Sequence, residues 1–164
     1  LDTTAGLGRD AFILASLGAS VQMVERVPEV RALLESALEH ARSTSATQSA
    51  AFAQTIGRLS MEAGDAVDVL ARLSAENQPD VIYVDPMFPP RRKSALVKKE
   101  MRVLHGLVGA DPDAKRLFDA AYATKVRRIV VKRPRIAPAL SDAKPSHVFS
   151  GKSNRFDVYL RTET

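Results

Sequence analysis

Asp85-Pro86-Met87-Phe88-Pro89 is the stretch of this chain best suited to hold a reacting group. It follows Val81-Ile82-Tyr83-Val84, a short apolar, β-branched run that reads as a buried parallel strand. A carboxylate at the carboxyl end of such a strand stands where open α/β sheets bind their ligands. The prolines stiffen the turn and push the residues before them toward extended geometry. The product is a rigid platform with one carboxylate, backbone carbonyls and an aromatic ring. Asp85 and the carbonyl of Pro86 can grip an amino group, and Phe88 can stack on the flat base that carries it. Taken alone, the same residues would also serve as an ordinary strand-ending turn.

Three more strand ends carry candidate binding residues. In Leu1-Asp2-Thr3-Thr4-Ala5-Gly6-Leu7-Gly8-Arg9-Asp10-Ala11, Gly6 and Gly8 permit a tight turn and the close approach of a ligand. The pattern Gly6-x-Gly8-x-x-Ala11 satisfies a dinucleotide fingerprint, and equally a plain turn. Ser20 to Val24 reads as a strand ending in Glu25, an acid placed to accept hydrogen bonds from ribose hydroxyls. Glu25 also fits as a surface residue ahead of the helix opened by Pro28-Glu29. Ala63-Gly64-Asp65-Ala66 follows a further strand-like run. Asp65 can cap the next helix, and can accept from an adenine amino group while doing so.

The elements that must position these residues alternate. Hydrophobic spacing and breakers predict helices over about 10–17, 28–42, 65–74, 94–108 and 114–124, and strands over 20–24, 58–62, 80–84 and 128–132. Residues 43–50 read as a small-residue spacer. Residues 147–150 and 155–160, joined by Gly151-Lys152-Ser153-Asn154, read as a terminal antiparallel hairpin. Alternation implies right-handed βαβ crossovers and a mainly parallel sheet with helices on both faces, in one α/β domain spanning 1–164.

Taken in chain order, the Gly-rich loop, the acid, Gly-Asp and Asp-Pro resemble the strand ends of a Rossmann-like class I S-adenosylmethionine-dependent methyltransferase. Asp85-Pro86-Met87-Phe88 is similar to the Asp/Asn-Pro-Pro-Tyr/Phe element of amine methyltransferases, with Met87 in place of the second proline. Thr4 to Asp10, Asp85 to Pro89, Lys93 to Val103, Val130-Val131-Lys132-Arg133-Pro134 and Lys152 to Asp157 together resemble the ribosomal RNA small subunit methyltransferase J family. That resemblance spans nearly the whole chain. It implies transfer of a methyl group from S-adenosylmethionine to N2 of a guanine in small-subunit ribosomal RNA, free or assembled. It implies cofactor binding by Gly6, Gly8, Arg9, Asp10, Glu25, Arg26, Gly64, Asp65 and Asp85. It also implies a closing C-terminal hairpin. Family members carry a segment ahead of the Gly-rich loop, and this chain begins at Leu1 without Met, so that segment and most of the first strand are expected to be missing.

Charge agrees with a polyanion partner. The 164-residue chain is net +5. Residues 91–102, with Arg91, Arg92, Lys93, Lys98, Lys99 and Arg102, are net +5, and residues 125–135, which include Lys132 and Arg133, are net +6. The remainder is net −6, so the basic charge is concentrated just beyond the proposed site. With 6 Phe, 3 Tyr and no Trp, a broad stacking platform for single strands is disfavoured, and recognition falls to phosphates, shape and one extruded base. No Cys is present and the three His are scattered, which argues against disulfides and a metal site and fits a cytoplasmic protein. No apolar run approaches the ~20 residues of a membrane span. Oligomeric state is not legible.

Two rival classes remain at this point: an NAD-type oxidoreductase, which leaves Asp85-Pro86-Met87-Phe88 unexplained, and an RNA-binding module without catalysis. A methyltransferase acting on another amino group is a narrower alternative. The basic helix gives a direct test. Replacing Lys98 and Lys99 together by Ala should flatten the log–log salt dependence of RNA binding by about 1–2 units and leave cofactor affinity unchanged. An unaltered slope would make these lysines plain solvated charges.

Overall fold

The computed structural model describes residues 1–86 and 113–161, and its chain divides into two compact units, Leu1–Leu73 and Ser74–Thr164. In the first, α1 (Arg9–Ser16), β1 (Val21–Glu25), α2 (Pro28–Thr44), α3 (Ala50–Gly57), β2 (Leu59–Ala63) and α4 (Ala66–Ala71) follow in order, with a single 3₁₀ turn at Ser45–Thr47. In the second are β3 (Val81–Val84), α5 (Ala114–Ala123), β4 (Arg128–Pro134), β5 (His147–Ser150) and β6 (Asn154–Leu160). The predicted helix over 94–108 lies outside the described residues.

The first unit is built on the parallel pair β1 and β2, in register from Val21↔Leu59 to Glu25↔Ala63. Asp2 forms a parallel bridge to Met23, its N–H donating to Gln22 O and its carbonyl accepting from Val24 N, both at 2.8 Å. Helix α2 starts with Pro at its first turn and buries Val30, Leu34 and Leu38, spaced by four so that they share one stripe. That stripe joins Ala11, Ala15, Met23, Ile56 and Leu59 in the core. Helix α1 ends at Gly18, whose φ of 104° suits only glycine, with Ala19 N–H closing onto Leu14 O.

Helix α3 departs from the sequence reading, which left residues 51–57 unassigned after a spacer. Ser49 caps it, its hydroxyl accepting from Phe52 N at 3.2 Å. Alanine at 50, 51 and 53 supplies helix propensity without side-chain entropy cost. Thr55 and Ile56 are buried and Phe52 is partly buried, so eight residues suffice because the core holds them.

In the second unit the strand order is β3-β4-β6-β5. β3 and β4 are parallel, while β4–β6 and β6–β5 are antiparallel, so the expected hairpin closes the unit. Helix α5 packs on β3, and its Phe118 meets Tyr159 of β6 edge-on at 4.9 Å and stacks with Tyr122 at 5.5 Å. Burial pushes the Tyr159 hydroxyl above its ordinary pKa, because the apolar surroundings disfavour the phenolate. Among the described residues no helix is long and apolar enough to cross a membrane.

Phe118 is 1% exposed at the centre of this aromatic group. Phe118→Ala should lower the unfolding free energy by about 3–5 kcal/mol through lost transfer energy and the cavity left behind. Urea denaturation of the variant checks this, and a loss below 1 kcal/mol would mean that the aromatic group is not a packed core.

Candidate active site

In the first unit the predicted binding residues gather at the carboxyl ends of β1 and β2. The Gly-rich loop leaves the bridge at Asp2, turns with Gly8 N donating to Ala5 O at 2.8 Å, and enters α1. Gly6 and Gly8 sit at φ 53° and 71°, in the left-handed region. They have different surroundings. A Cβ on Gly8 would lie 2.9 Å from Leu34 Cδ1 and 3.5 Å from Met23 Sδ, so Gly8 lets the loop pack down onto α2 and β1. Among the described residues a Cβ on Gly6 would meet only Thr4 O, at 4.0 Å. The close approach predicted for both glycines is, at Gly8, an approach to the protein's own core.

Glu25 is the hub of this end of the unit. It is 8% exposed. Its Oε2 accepts from Gly6 N at 2.9 Å and its Oε1 from Val27 N at 2.8 Å, while its main-chain carbonyl accepts from Gly64 N at 3.2 Å. One residue therefore ties together the Gly-rich loop, the entry to α2 and the turn after β2. A carboxylate offers about four acceptor sites, so two backbone bonds do not exhaust it. Gly64, at φ 142°, has nothing among the described residues within 4 Å of the position a Cβ would take. Asp65 caps α4, its Oδ1 accepting from Val67 N at 2.8 Å. Arg9 and Asp10 open α1, with Arg9 exposed and Asp10 partly buried, and Arg26 is exposed just after β1. A carboxylate acceptor joined to the turns at Gly6 and Gly64 fits the sugar and backbone-approach needs of a nucleoside cofactor.

In the second unit Asp85 directly follows β3, with Pro86 fully buried behind it. The parallel register pairs Val84 with Val131, which puts the next residues, Asp85 and Lys132, side by side. Lys132 Nζ lies 2.8 Å from Asp85 Oδ2, with 21% of the lysine and 31% of the aspartate side chain exposed. The sequence reading placed Lys132 on RNA phosphates; the structure places its ammonium on the proposed catalytic acid.

Arg133, the other cation of that pair, points the opposite way. It is 3% exposed, shares the inward alternation of Ile129 and Val131, and donates from Nη2 to Pro138 O. A side chain so enclosed does not present its guanidinium to a phosphate, contrary to the RNA contact expected of Arg133. Burial, then the nearby Arg155, lowers its pKa from the ordinary arginine value. Arg155 makes a two-pronged pair with Asp157, Nε to Oδ1 at 2.8 Å and Nη2 to Oδ2 at 3.1 Å, and this bond raises its pKa. Its Nη1 also donates to Ala137 O at 2.6 Å and Arg135 O at 3.1 Å. Arg133, Arg155 and Asp157 together fasten the segment after β4. The sequence signal was available: Arg155 and Asp157 stand two apart on a strand and so share a face. Phe88, Arg91, Arg92, Lys93, Lys98, Lys99 and Arg102 lie outside the described residues.

The family model for a putative SAM-dependent methyltransferase matches residues 1–161, and this places the chain in that class of protein. A ribosomal RNA small subunit methyltransferase J from Thioalkalivibrio sulfidiphilus is 54% identical over 98% of this chain and 61% of its own length. One of the same name from Rhodopseudomonas palustris is 53% identical over 100% of this chain and 77% of its own length. The crystal structure of a SAM-dependent methyltransferase from Neisseria gonorrhoeae superposes with a TM-score of 0.73 at 37% identity, over 97% of this chain and 63% of that one. The chain belongs to the ribosomal RNA small subunit methyltransferase J family. It spans about three fifths of the length of several of the curated relatives it matches.

Removing the Glu25 carboxylate strands the N–H groups of Gly6 and Val27. Glu25→Ala should therefore cost about 2 kcal/mol of stability, within the range for leaving buried donors without an acceptor. Glu25→Gln retains one acceptor oxygen and should cost less. Equal urea midpoints for wild type and Glu25→Ala would show that the carboxylate does not hold the loop.

Proposed function

We propose that this chain transfers a methyl group from S-adenosylmethionine to N2 of a guanine in small-subunit ribosomal RNA, in the cytoplasm, and that residues 1–164 act as a single methyltransferase domain. The observation that carries the reading is Asp85, a partly exposed carboxylate at the carboxyl end of the buried parallel strand β3, opening an Asp-Pro-Met-Phe element. The names of relatives more than 50% identical to this chain support the substrate class.

When bound, the cofactor supplies a methyl group already activated by its sulfonium. The chain's own residues supply binding, orientation and charge stabilisation. Glu25 accepts hydrogen bonds from the ribose hydroxyls on the lone pairs its backbone bonds leave over. Asp65 accepts from the adenine amino group while capping α4. Gly6 and Gly64 give the backbone clearance, and Gly8 keeps the loop seated. Arg9, Asp10 and Arg26 complete this set.

At the acceptor, the N2 lone pair is delocalised into the guanine ring and is a weak nucleophile. Asp85 and the carbonyl of Pro86 accept hydrogen bonds from the amino group. These bonds localise the lone pair and stabilise the positive charge that develops on N2. Holding both reactants in line can supply ~7–11 kcal/mol of the barrier. Phe88 stacks on the extruded base, and the basic residues of segment 91–102 hold the flanking phosphates.

The test is labelled-methyl transfer to naked small-subunit RNA, to assembled subunits and to DNA, followed by nucleoside analysis. N2-methylguanosine in an RNA arm is expected, and label only in another nucleoside or in DNA would redirect the reading to a different amine. Asp85→Ala should lower turnover by about 10²–10³ while RNA affinity stays within about twofold. Near wild-type turnover at saturating cofactor would remove Asp85 from the chemistry.

A further inference from the structure

The ion pair between Lys132 and Asp85 has a role that phosphate binding does not describe. Its geometry is set by the sheet. The parallel register brings the residue after Val84 beside the residue after Val131, and the antiparallel register pairs Lys132 with Phe156 on its other side. Lys132 therefore stands on a strand flanked on both sides, with its Nζ 2.8 Å from Asp85 Oδ2 and only 21% of the side chain exposed. A partly buried pair of this kind is less screened than a surface one.

The terminal torsion of an aspartate is broad, so rotamer preference alone does not fix the plane of its carboxylate. Fastening one oxygen does. We propose that Lys132 is a positioning residue for methyl transfer: by anchoring Oδ2 it fixes the plane of the Asp85 carboxylate, and so the direction in which that carboxylate accepts hydrogen bonds from the acceptor amine. This rests on the methyltransferase reading given above.

The chemistry explains why the plane matters. As the N2–carbon bond forms, the carbon–sulfur bond breaks and its electron pair leaves with sulfur. Positive charge therefore moves onto N2, which then loses a proton to solvent. A carboxylate already aimed at the N2 hydrogens gains in interaction as that charge appears. A carboxylate free to turn must reorganise first. The benefit falls in the transition state and so in kcat.

The test uses the full chain, with methyl transfer to small-subunit RNA measured at saturating cofactor and RNA. Lys132→Met should lower kcat by about 10- to 100-fold, the range found when a partner that orients a metal ligand is removed. The KM for RNA should stay within about twofold. Lys132→Arg keeps a cation opposite Oδ2 and should recover most of the rate. The Asp85→Ala/Lys132→Met double variant should be no slower than Asp85→Ala alone, because the proposed effect of Lys132 on the rate is exerted through Asp85. That variant also removes both charges, so it does not depend on tolerating a stranded one.

RNA affinity measured at several salt concentrations gives a readout independent of turnover. A Lys132→Met variant with unchanged salt slope supports the proposal. A lower slope with unchanged kcat would return Lys132 to the phosphates, and full additivity in the double variant would show that it acts apart from Asp85. Either result overturns the positioning role alone. Wild type that methylates no RNA would overturn the underlying reading, and this proposal with it.

Discussion

Glu25 is the constraint on which the first unit depends. Three turns meet on this one residue: Gly6 N and Val27 N on its two carboxylate oxygens, and Gly64 N on its carbonyl. Each leads into a helix, and each has N–H groups that no helix or strand satisfies. Bonds to a charged acceptor are worth about 1.5–3 kcal/mol apiece, well above the neutral average. The backbone must bend to reach them, which is why Gly6 takes a positive φ. Stability and pre-organisation are therefore the same bonds. The carboxylate that would meet a ribose is already immobilised before any ligand arrives, so little ordering remains to oppose binding.

The second unit depends instead on the two-residue period of its strands. Lys132 and Arg133 are adjacent cations in sequence, yet one reaches Asp85 and the other donates to Pro138 O near the partly buried Arg155–Asp157 pair. Successive side chains of a strand point to opposite faces, so neighbours cannot share a task. On one face the pairing holds an acid at the end of β3. On the other, Arg155 collects the carbonyls of Arg135 and Ala137 and keeps the segment after β4 against the hairpin. Arg155 and the buried Arg133 are positive charges in close quarters, and the carboxylate of Asp157, 3% exposed, offsets their repulsion.

Much of this was legible in the residues. The parallel pairs, the closing hairpin and the strand-end positions of Gly6, Glu25, Gly64 and Asp85 follow from apolar periodicity and breakers, and the element bounds agree within a few residues. Helix α3 was not legible, because its eight residues carry only the short apolar pair Phe52 and Ile56 among Ala, Gln and Thr. Its stability comes from Thr55, Ile56 and Phe52 meeting a core assembled elsewhere in the chain. Gly8 and Arg133 show the same limit. A glycine fingerprint does not say whether the close neighbour is a ligand or Leu34, and a basic cluster does not say which of its members turn inward. Both answers depend on tertiary partners distant in sequence.

The two acids are held in different ways, and the difference matches their proposed tasks. Glu25 is held by backbone amides at both of its oxygens. Asp85 is held by the Lys132 ammonium at Oδ2. An immobile acceptor suits ribose hydroxyls, whose hydrogen bonds are the same before and during reaction and so contribute to affinity rather than to rate. An oriented carboxylate suits a group that gains positive charge as it reacts, because its hydrogen bonds strengthen as that charge develops. Under methyl transfer, backbone donors at one acid and a lysine at the other divide binding from acceleration between two carboxylates.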